Sequence, residues 1–334
     1  MNSSLCVLIA ALVLGVPRPA SHIPTGSRPG PQETAWTPEQ VAARDRALER
    51  AQTALQAGRR TEAKSLLASA GKRFTSVLAL MQLARLQSED GEASAALATL
   101  DGAQALAPNA EDVLSAIAQV SLAARAPVRA ILALEPLTRF APTVAQHHYL
   151  FGVALMQAGD MPAAVDALRE ADRLEPAHDL TWVALGIALN NRKMFADAKP
   201  VLARVLERQP DNVEVRAALA EAEEGLGELD TADSLAALAL AAAPDHPTAN
   251  LVVGMVLMKR GRYADARLAL ERAAAADPDS PKVYYQLSLA SARLGDPDGA
   301  AKHLDLYQKK LRALEVRIEE LRRVGMPFRG EMPR

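Results

Sequence analysis

Apolar and small residues return along this chain with a period of 34 residues. Large apolar residues stand directly before small ones, as in Leu83–Ala84 and Leu185–Gly186, and later in each period an alanine and then a proline recur at fixed places. A period of 20 to 50 residues is typical of repeat architectures, in which each unit buries its apolar face only against its neighbours. The alanine column is Ala96, Ala130, Ala164, Ala198, Ala232, Ala266 and Ala300, and the proline column is Pro108, Pro142, Pro176, Pro210, Pro244 and Pro278.

The residues Trp182, Leu185, Gly186, Ala198 and Pro210 lie at spacings that resemble the tetratricopeptide repeat. The resemblance implies an all-α solenoid, a right-handed superhelix of stacked antiparallel helix pairs, in which small residues let the two backbones approach. Proline after the second helix cannot continue it. About eight copies are expected: a degenerate one over 44–75, then 77–110, 111–144, 145–178, 179–212, 213–246, 247–280 and a last one from Pro281.

A glycine is expected between the two helices of each pair, because glycine takes the left-handed conformation without steric cost. Gly91, Gly159, Gly227, Gly261 and Gly295 meet this expectation. Two repeats depart from it, with Arg125 and Lys193 at the glycine position. We therefore expect these two turns to close differently from the others.

The last helix is not stopped by a proline, and apolar residues continue along it at helical spacing. We expect a long C-terminal helix that caps the solenoid, as the open end of a repeat array requires. The same apolar seam leaves a second interpretation open, a homodimer through a short coiled coil. The residues named for that contact are Leu304, Leu311, Leu314, Ile318 and Leu321.

The N-terminal residues Leu5–Val16 are apolar apart from Gly15, too few to span a membrane as a helix of about 20 residues. They fit the apolar region of a secretory signal, although no Lys or Arg precedes them. We therefore expect export (periplasmic, secreted or membrane-associated) if the leader is functional, and a cytoplasmic protein otherwise. The expected organisation is leader 1–24, linker 25–41, solenoid 42–308, helical extension 309–324 and tail 325–334.

Composition and motifs argue against a catalytic or metal-binding site in this chain. The net charge of −2 argues against attraction to nucleic acid, and the single cysteine, Cys6, excludes an intrachain disulfide. The sequence contains no phosphate-binding loop, dinucleotide fingerprint, nucleophile elbow or zinc-protease motif. We predict no enzyme activity, no cofactor, no metal and no membrane span beyond the leader.

In tetratricopeptide-repeat proteins, ligands usually lie along the concave face formed by the first helices. Carried over by position, this predicts a protein-binding groove with an apolar wall and an acidic cluster. A partner would supply apolar anchors and a basic residue facing the glutamates, although the chain's own linker or neighbouring side chains could fill the groove instead. The predicted groove residues are Tyr149, Val153, Met156, Val183, Ile187, Asn190, Glu214, Glu221, Glu224, Leu251, Met255, Met258, Tyr285 and Leu289.

These expectations predict a non-catalytic scaffold or adaptor that binds a protein or peptide. A carboxylate clamp of the chaperone-docking kind is not expected, because its fifth and ninth places hold apolar pairs such as Val183 and Ile187. Two alternatives stay open at this point. One is a regulatory subunit of a separately encoded enzyme, and the other is a structural protein that self-assembles through the C-terminal helix.

Overall fold

The computed structural model describes residues 36–323, and this part of the chain forms sixteen α-helices and no strand. The leader, most of the linker and the tail lie outside the described residues. The helices are α1 Pro38–Gln56, α2 Arg60–Phe74, α3 Val77–Glu89, α4 Ala93–Leu106, α5 Glu111–Ala123, α6 Pro127–Phe140, α7 Ala145–Ala158, α8 Met161–Leu174, α9 Asp179–Asn191, α10 Phe195–Arg208, α11 Val213–Leu226, α12 Leu229–Ala242, α13 Pro247–Lys259, α14 Tyr263–Ala276, α15 Pro281–Arg293 and α16 Pro297–Arg323.

These helices pair consecutively into eight hairpins, which confirms the predicted all-α solenoid. Three hairpins, α1 to α6, belong to a unit that spans residues 36–140 of the described chain. The other five, α7 to α16, belong to a second unit over residues 141–323. The helical array begins at Pro38, inside the linker predicted for 25–41, because Thr37 and Gln40 form a capping box that starts α1 there.

The small residues of the period lie where two helices of a hairpin meet. All the alanines of the alanine column from Ala96 to Ala266 have no exposed surface. A Cβ atom added at Gly186 would lie 2.5 Å from Leu202 Cδ2, and one at Gly254 would lie 2.6 Å from Leu270 Cδ2. Both leucines are fully buried, so they have no free space into which to move. The small residues therefore recur every 34 residues because the first and second helices of each hairpin approach closely at these positions.

The glycine turns adopt the predicted left-handed conformation, with φ of 95° at Gly159 and 89° at Gly227. The expectation for the two turns without glycine is wrong. Arg125 and Lys193 have φ of 56° and 58°, so both turns close in the same way as the glycine turns. The reason is that packing fixes the ends of both helices, and the turn residue accepts a strained backbone to join them.

The C-terminal helix α16 contacts three parts of its own unit. His303 lies 3.2 Å from Ser291 on α15, and Lys310 forms a 2.7 Å ion pair with Asp279. Farther along, Leu314 packs on Gly159 at the end of α7, so tightly that a Cβ atom there would clash with it. The helix thus runs from the last hairpin of the unit back to the first one.

These contacts agree with the expectation of a cap on the last hairpin. Within the single chain Ile318 and Leu321 are buried, Leu311 and Leu314 are half-buried, and Leu304 is exposed. Dimerisation through this seam stays a prediction, and it would require Ile318 and Leu321 to leave the surroundings that bury them here.

Candidate protein-binding face

The predicted groove residues all come from the first helices of the five hairpins in the unit 141–323. These helices are α7, α9, α11, α13 and α15, and each contacts the next one directly. We call the surface that they form the inner face. All fourteen predicted residues lie on these helices, as the repeat positions predicted. Their role in binding stays a prediction.

The burial of the inner face differs from the expected open apolar wall. Tyr149 lies with its ring 6.2 Å from the ring of His178, and Asn190 donates a 2.7 Å hydrogen bond to the carbonyl of Ala218. Such side chains are inaccessible to a partner in this conformation. The residues that are at most 7% exposed are Tyr149, Val153, Met156, Val183, Ile187, Asn190, Glu214, Glu221, Glu224 and Leu251.

Four predicted residues remain within reach of solvent, and all lie on α13 and α15. Tyr285 and Leu289 are 43% and 38% exposed, while Met255 and Met258 are half-buried. The contiguous apolar wall predicted over three repeats is therefore reduced to this end of the unit.

The acidic cluster is also different from the prediction, because the chain neutralises it with its own cations. Lys282 lies 2.5 Å from Glu221, and Lys259 lies 2.7 Å from Glu224. Glu214 lies 3.0 Å from the ring nitrogen Nε2 of His246. Glutamates that are already paired within the chain do not need a basic residue from a partner. The structure therefore gives no reason to expect a basic residue of the partner opposite these glutamates.

The two ion pairs of this cluster share one feature, which is that the acid is buried and the base is not. The side chains of Glu221 and Glu224 are 9% and 2% exposed, whereas those of Lys282 and Lys259 are 37% and 46% exposed. Lys199, on the second helix α10, and Glu223 form another pair of this kind, at 3.0 Å. Solvent at this part of the inner face therefore meets ammonium groups, although the sequence there is rich in glutamate.

A pocket of about 340 Å³ opens at the same place. Its apolar lining comes from Phe195, Met255 and Met258, and three lysines stand around it. We call Lys193, Lys259 and Lys282 the lysine rim. The pocket is held open in part by Gly225, where a Cβ atom would clash with the ring of Phe195. The remaining lining residues are Glu224 and Gln286.

Six residues that line the pocket are absent from the predicted groove residues: Lys193, Phe195, Gly225, Lys259, Lys282 and Gln286. Gly225, Lys259 and Lys282 stand at ligand-facing places of the first helices, whereas Lys193, Phe195 and Gln286 lie outside those places. A signal existed for Lys193, since it stands where glycine is expected between two helices. For Phe195 and Gln286 there was no such signal in the sequence, because their position at the pocket depends on how neighbouring hairpins pack.

Within residues 36–323, no cluster of three or more His, Cys, Asp or Glu side chains is arranged to hold a metal ion. In the same residues, no helix is both long and apolar enough to cross a membrane. Burial raises the pKa of the Tyr149 hydroxyl above its ordinary value of 10.0, so it stays protonated at neutral pH. The inner face thus offers contact surface and charged groups, and Tyr149 is not an activated nucleophile.

Comparison with known proteins extends over much of the chain. Family models described as tetratricopeptide repeat match residues 155–220, 189–253 and 251–313. The protein CTR9 homolog of Arabidopsis thaliana is 28% identical over 141 residues. That stretch is 42% of this chain but 13% of the plant protein, so the chain spans only a small part of the length of this relative.

Solved structures resemble the fold over a larger share of the chain. A tetratricopeptide repeat protein from Parabacteroides merdae covers 75% of this chain and 99% of its own, with 13% identity and a TM-score of 0.59. The hetero-tetramer Cut9–Hcn1 of the APC/C covers 79% of this chain and 52% of its own, with 15% identity and a TM-score of 0.54. The family-model matches over residues 155–313, together with the eight helical hairpins and the 34-residue columns, show that this is a protein of the tetratricopeptide-repeat family.

Proposed function

We propose that the protein is a non-catalytic scaffold that binds a segment of a partner protein at the inner face of the unit 141–323. The observation that carries this proposal is the pocket lined by Phe195, Met255 and Met258. It offers apolar surface to solvent on a face whose side chains are mostly buried, and such surface normally serves an interaction. Methionine side chains adapt their shape to different partners, which suits a binding floor.

The fold supports the same proposal in a general way. Stacked helical hairpins present long surfaces for contact with other proteins, and they account for all the helices of residues 36–323. A chain with this fold occurs in the hetero-tetramer Cut9–Hcn1 of the APC/C. For the present chain, the unit 141–323 would contribute the contact surface and the partner would contribute any chemistry.

Panning a phage-displayed random peptide library on the full chain tests the proposal. The supporting result is a recurrent peptide motif whose binding to the double variant Met255→Asp, Met258→Asp is reduced more than tenfold. A carboxylate placed on an apolar floor must be desolvated when the peptide binds, and this cost opposes binding. Affinities would be measured with the synthetic motif peptide by fluorescence anisotropy, after circular dichroism has confirmed that the variant is folded.

The chain supplies a matched control on the second helices of two neighbouring hairpins. Leu238 on α12 and Leu268 on α14 are 58% and 56% exposed, so Leu238→Asp with Leu268→Asp makes the same chemical change at open surface. This control should bind the motif peptide as the wild type does. If no motif recurs, or if the pocket variant binds as well as the control, the pocket is not the binding site.

A further inference from the structure

We infer that the pocket of the inner face takes an acidic peptide segment that carries one large apolar side chain next to a carboxylate. The inference rests on the proposed function and adds the chemistry of the partner. The apolar side chain would enter between Phe195, Met255 and Met258, and the carboxylate would meet the lysine rim.

The size and lining of the pocket fit one large side chain rather than a long buried segment. Its volume of about 340 Å³ lies at the low end of the range of about 300–1,000 Å³ that ligand pockets occupy. The aromatic ring of Phe195 and two thioether side chains line it, a combination that packs well against an aromatic or branched aliphatic group. A polar side chain would gain little between Phe195, Met255 and Met258, because none of these three side chains offers a strong hydrogen-bonding group.

The charge preference follows from which partner of each ion pair faces solvent. Glu221 and Glu224 lie beneath the surface, whereas Lys282 and Lys259 present 37% and 46% of their side chains to it. Lys193 is exposed at the mouth of the same pocket. At this pocket the three lysines are therefore more accessible to an arriving segment than the carboxylates of Glu221 and Glu224. Opposite charges on the two sides of an interface favour encounter and suppress partners of the wrong sign.

The buried glutamates add order to the rim without cancelling its preference. Each one holds the nitrogen of a flexible lysine at a fixed place, so part of the entropy cost of ordering that side chain is met before a ligand arrives. Lys259 also donates a 2.9 Å hydrogen bond to the backbone carbonyl of Glu224. An ammonium group has three donors, so Lys259 and Lys282 can each hold a glutamate and still donate to an incoming carboxylate.

This site differs from the carboxylate clamp named in the sequence analysis. The fifth and ninth places of α13 are Leu251, which is buried, and Met255, which is half-buried. The rim instead combines a turn residue, Lys193, with the last residue of α13 and the second of α15. Its three lysines come from three different repeats.

The experiment compares three fluorescein-labelled, amidated peptides on the full chain: Gly-Asp-Phe-Asp-Gly-Ser, and the same peptide with both Asp residues replaced by Asn or by Lys. Fluorescence anisotropy should give an affinity for the Asp peptide at least about tenfold higher than for the Asn peptide, and a still lower affinity for the Lys peptide. Raising the salt concentration from 50 to 500 mM should remove most of the difference between the Asp and Asn peptides.

The variant Lys193→Asn removes one charge of the rim at a position that asparagine tolerates, because asparagine readily adopts a left-handed backbone. It should weaken the Asp peptide about three- to fivefold and leave the Asn peptide unchanged. Arg125→Asn replaces a basic residue by asparagine at the other turn within a hairpin that lacks glycine, outside the pocket, and should change neither affinity.

Each failure points to a different error. Equal affinities for the three peptides, or preference for the Lys peptide, would overturn the acidic partner while a segment still binds at the pocket. The absence of measurable binding by any of the three peptides would also overturn the inference. The proposed function fails separately, if no motif emerges from the random library or if its binding ignores Met255 and Met258.

Discussion

Ion pairs cluster in both units of the protein, but the two clusters differ in how they treat the acid. In the unit 36–140, Arg60 and Lys64 on α2 pair with Asp90 at 2.5 and 2.7 Å, and Asp90 keeps 25% of its side chain exposed. In the unit 141–323, Glu221 and Glu224 are 9% and 2% exposed and their lysines are more open. The lengths of the ion pairs are the same, so distance alone does not distinguish the clusters.

The difference lies in what happens when a base is removed. At the open cluster, water replaces the lost partner, and the pairs serve mainly to position neighbouring hairpins. At the closed cluster, removal of a lysine leaves a carboxylate with little access to water. The buried glutamates therefore make Lys259 and Lys282 a fixed part of the fold, whereas the more exposed pairs of the first unit can be exchanged at little cost.

The largest expected effect is that of Lys259→Met, which leaves Glu224 without its counter-ion. We expect the free energy of unfolding of this unit to fall by about 2 kcal/mol. Adding Glu224→Gln to the same chain should restore most of the loss, because a neutral amide is cheaper to bury than a carboxylate. Urea unfolding followed by circular dichroism measures both variants. Equal stability of Lys259→Met and the wild type would contradict the distinction between the two clusters.

The next effect concerns the two turns without glycine, one in each unit. Lys193→Gly should raise the free energy of unfolding by about 1 kcal/mol, because glycine relieves the left-handed strain at φ 58°. Arg125→Gly should act in the same direction from φ 56°. The urea midpoints of the two variants compare backbone strain in the two units at residues that do not pair with Asp90, Glu221 or Glu224. A fall in stability at both turns would show that the arginine and lysine side chains contribute more than the strain costs.

A smaller effect is expected at the open cluster. Lys64→Ala removes a partner from Asp90 and Glu92, both of which stay in contact with solvent. The unfolding midpoint should stay within the error of the measurement, in contrast to Lys259→Met under identical conditions. A loss of stability as large as that of Lys259→Met would remove the contrast on which the comparison rests.

The smallest expected effect is a change in the pKa of the Asp90 carboxyl. The hydrogen bond from Lys64, supported by Arg60, holds the pKa of the Asp90 carboxyl below its ordinary value of 3.8. A depressed carboxyl pKa contributes stability that is present above the ordinary value and is lost as the pH falls through the lower pKa of the folded state. Carbon-detected NMR titration should show this pKa, and Lys64→Ala should raise it towards 3.8. An Asp90 pKa at or above 3.8 in the wild type would contradict the hydrogen bond.

The features predicted most successfully were those that repeat within one hairpin or between neighbours. The alanine column and the glycine turns are contacts of this kind, so every copy of the period carries the same information. The closing of the turns at Arg125 and Lys193 was predicted wrongly, because the residue in a turn was given more weight than the packing of the two helices that it joins. Left-handed strain of about 1–2 kcal/mol is small against the burial of two helices.

The candidate site was predicted only in outline. Resemblance located the inner face and named Met255 and Met258, but it could not show that Tyr149, Val153 or Ile187 is buried. The pairing of Glu221 with Lys282 joins residues 61 positions apart. No single period of 34 contains that contact, since it depends on the angles between three successive hairpins. Charge read from sequence therefore indicated an acidic face where the folded chain presents lysines.

The contact of Leu314 with Gly159 has a consequence for how this half of the protein resists unfolding. In an ordinary repeat array each repeat contacts only its neighbours, so a terminal repeat can unfold while the others stay folded. Here helix α16 of the last hairpin also contacts the end of α7 in the first hairpin of the unit, so the first and the last of the five hairpins are linked directly. Fraying of the last hairpin has to break a contact at the first as well, and the unit should melt as a single cooperative block.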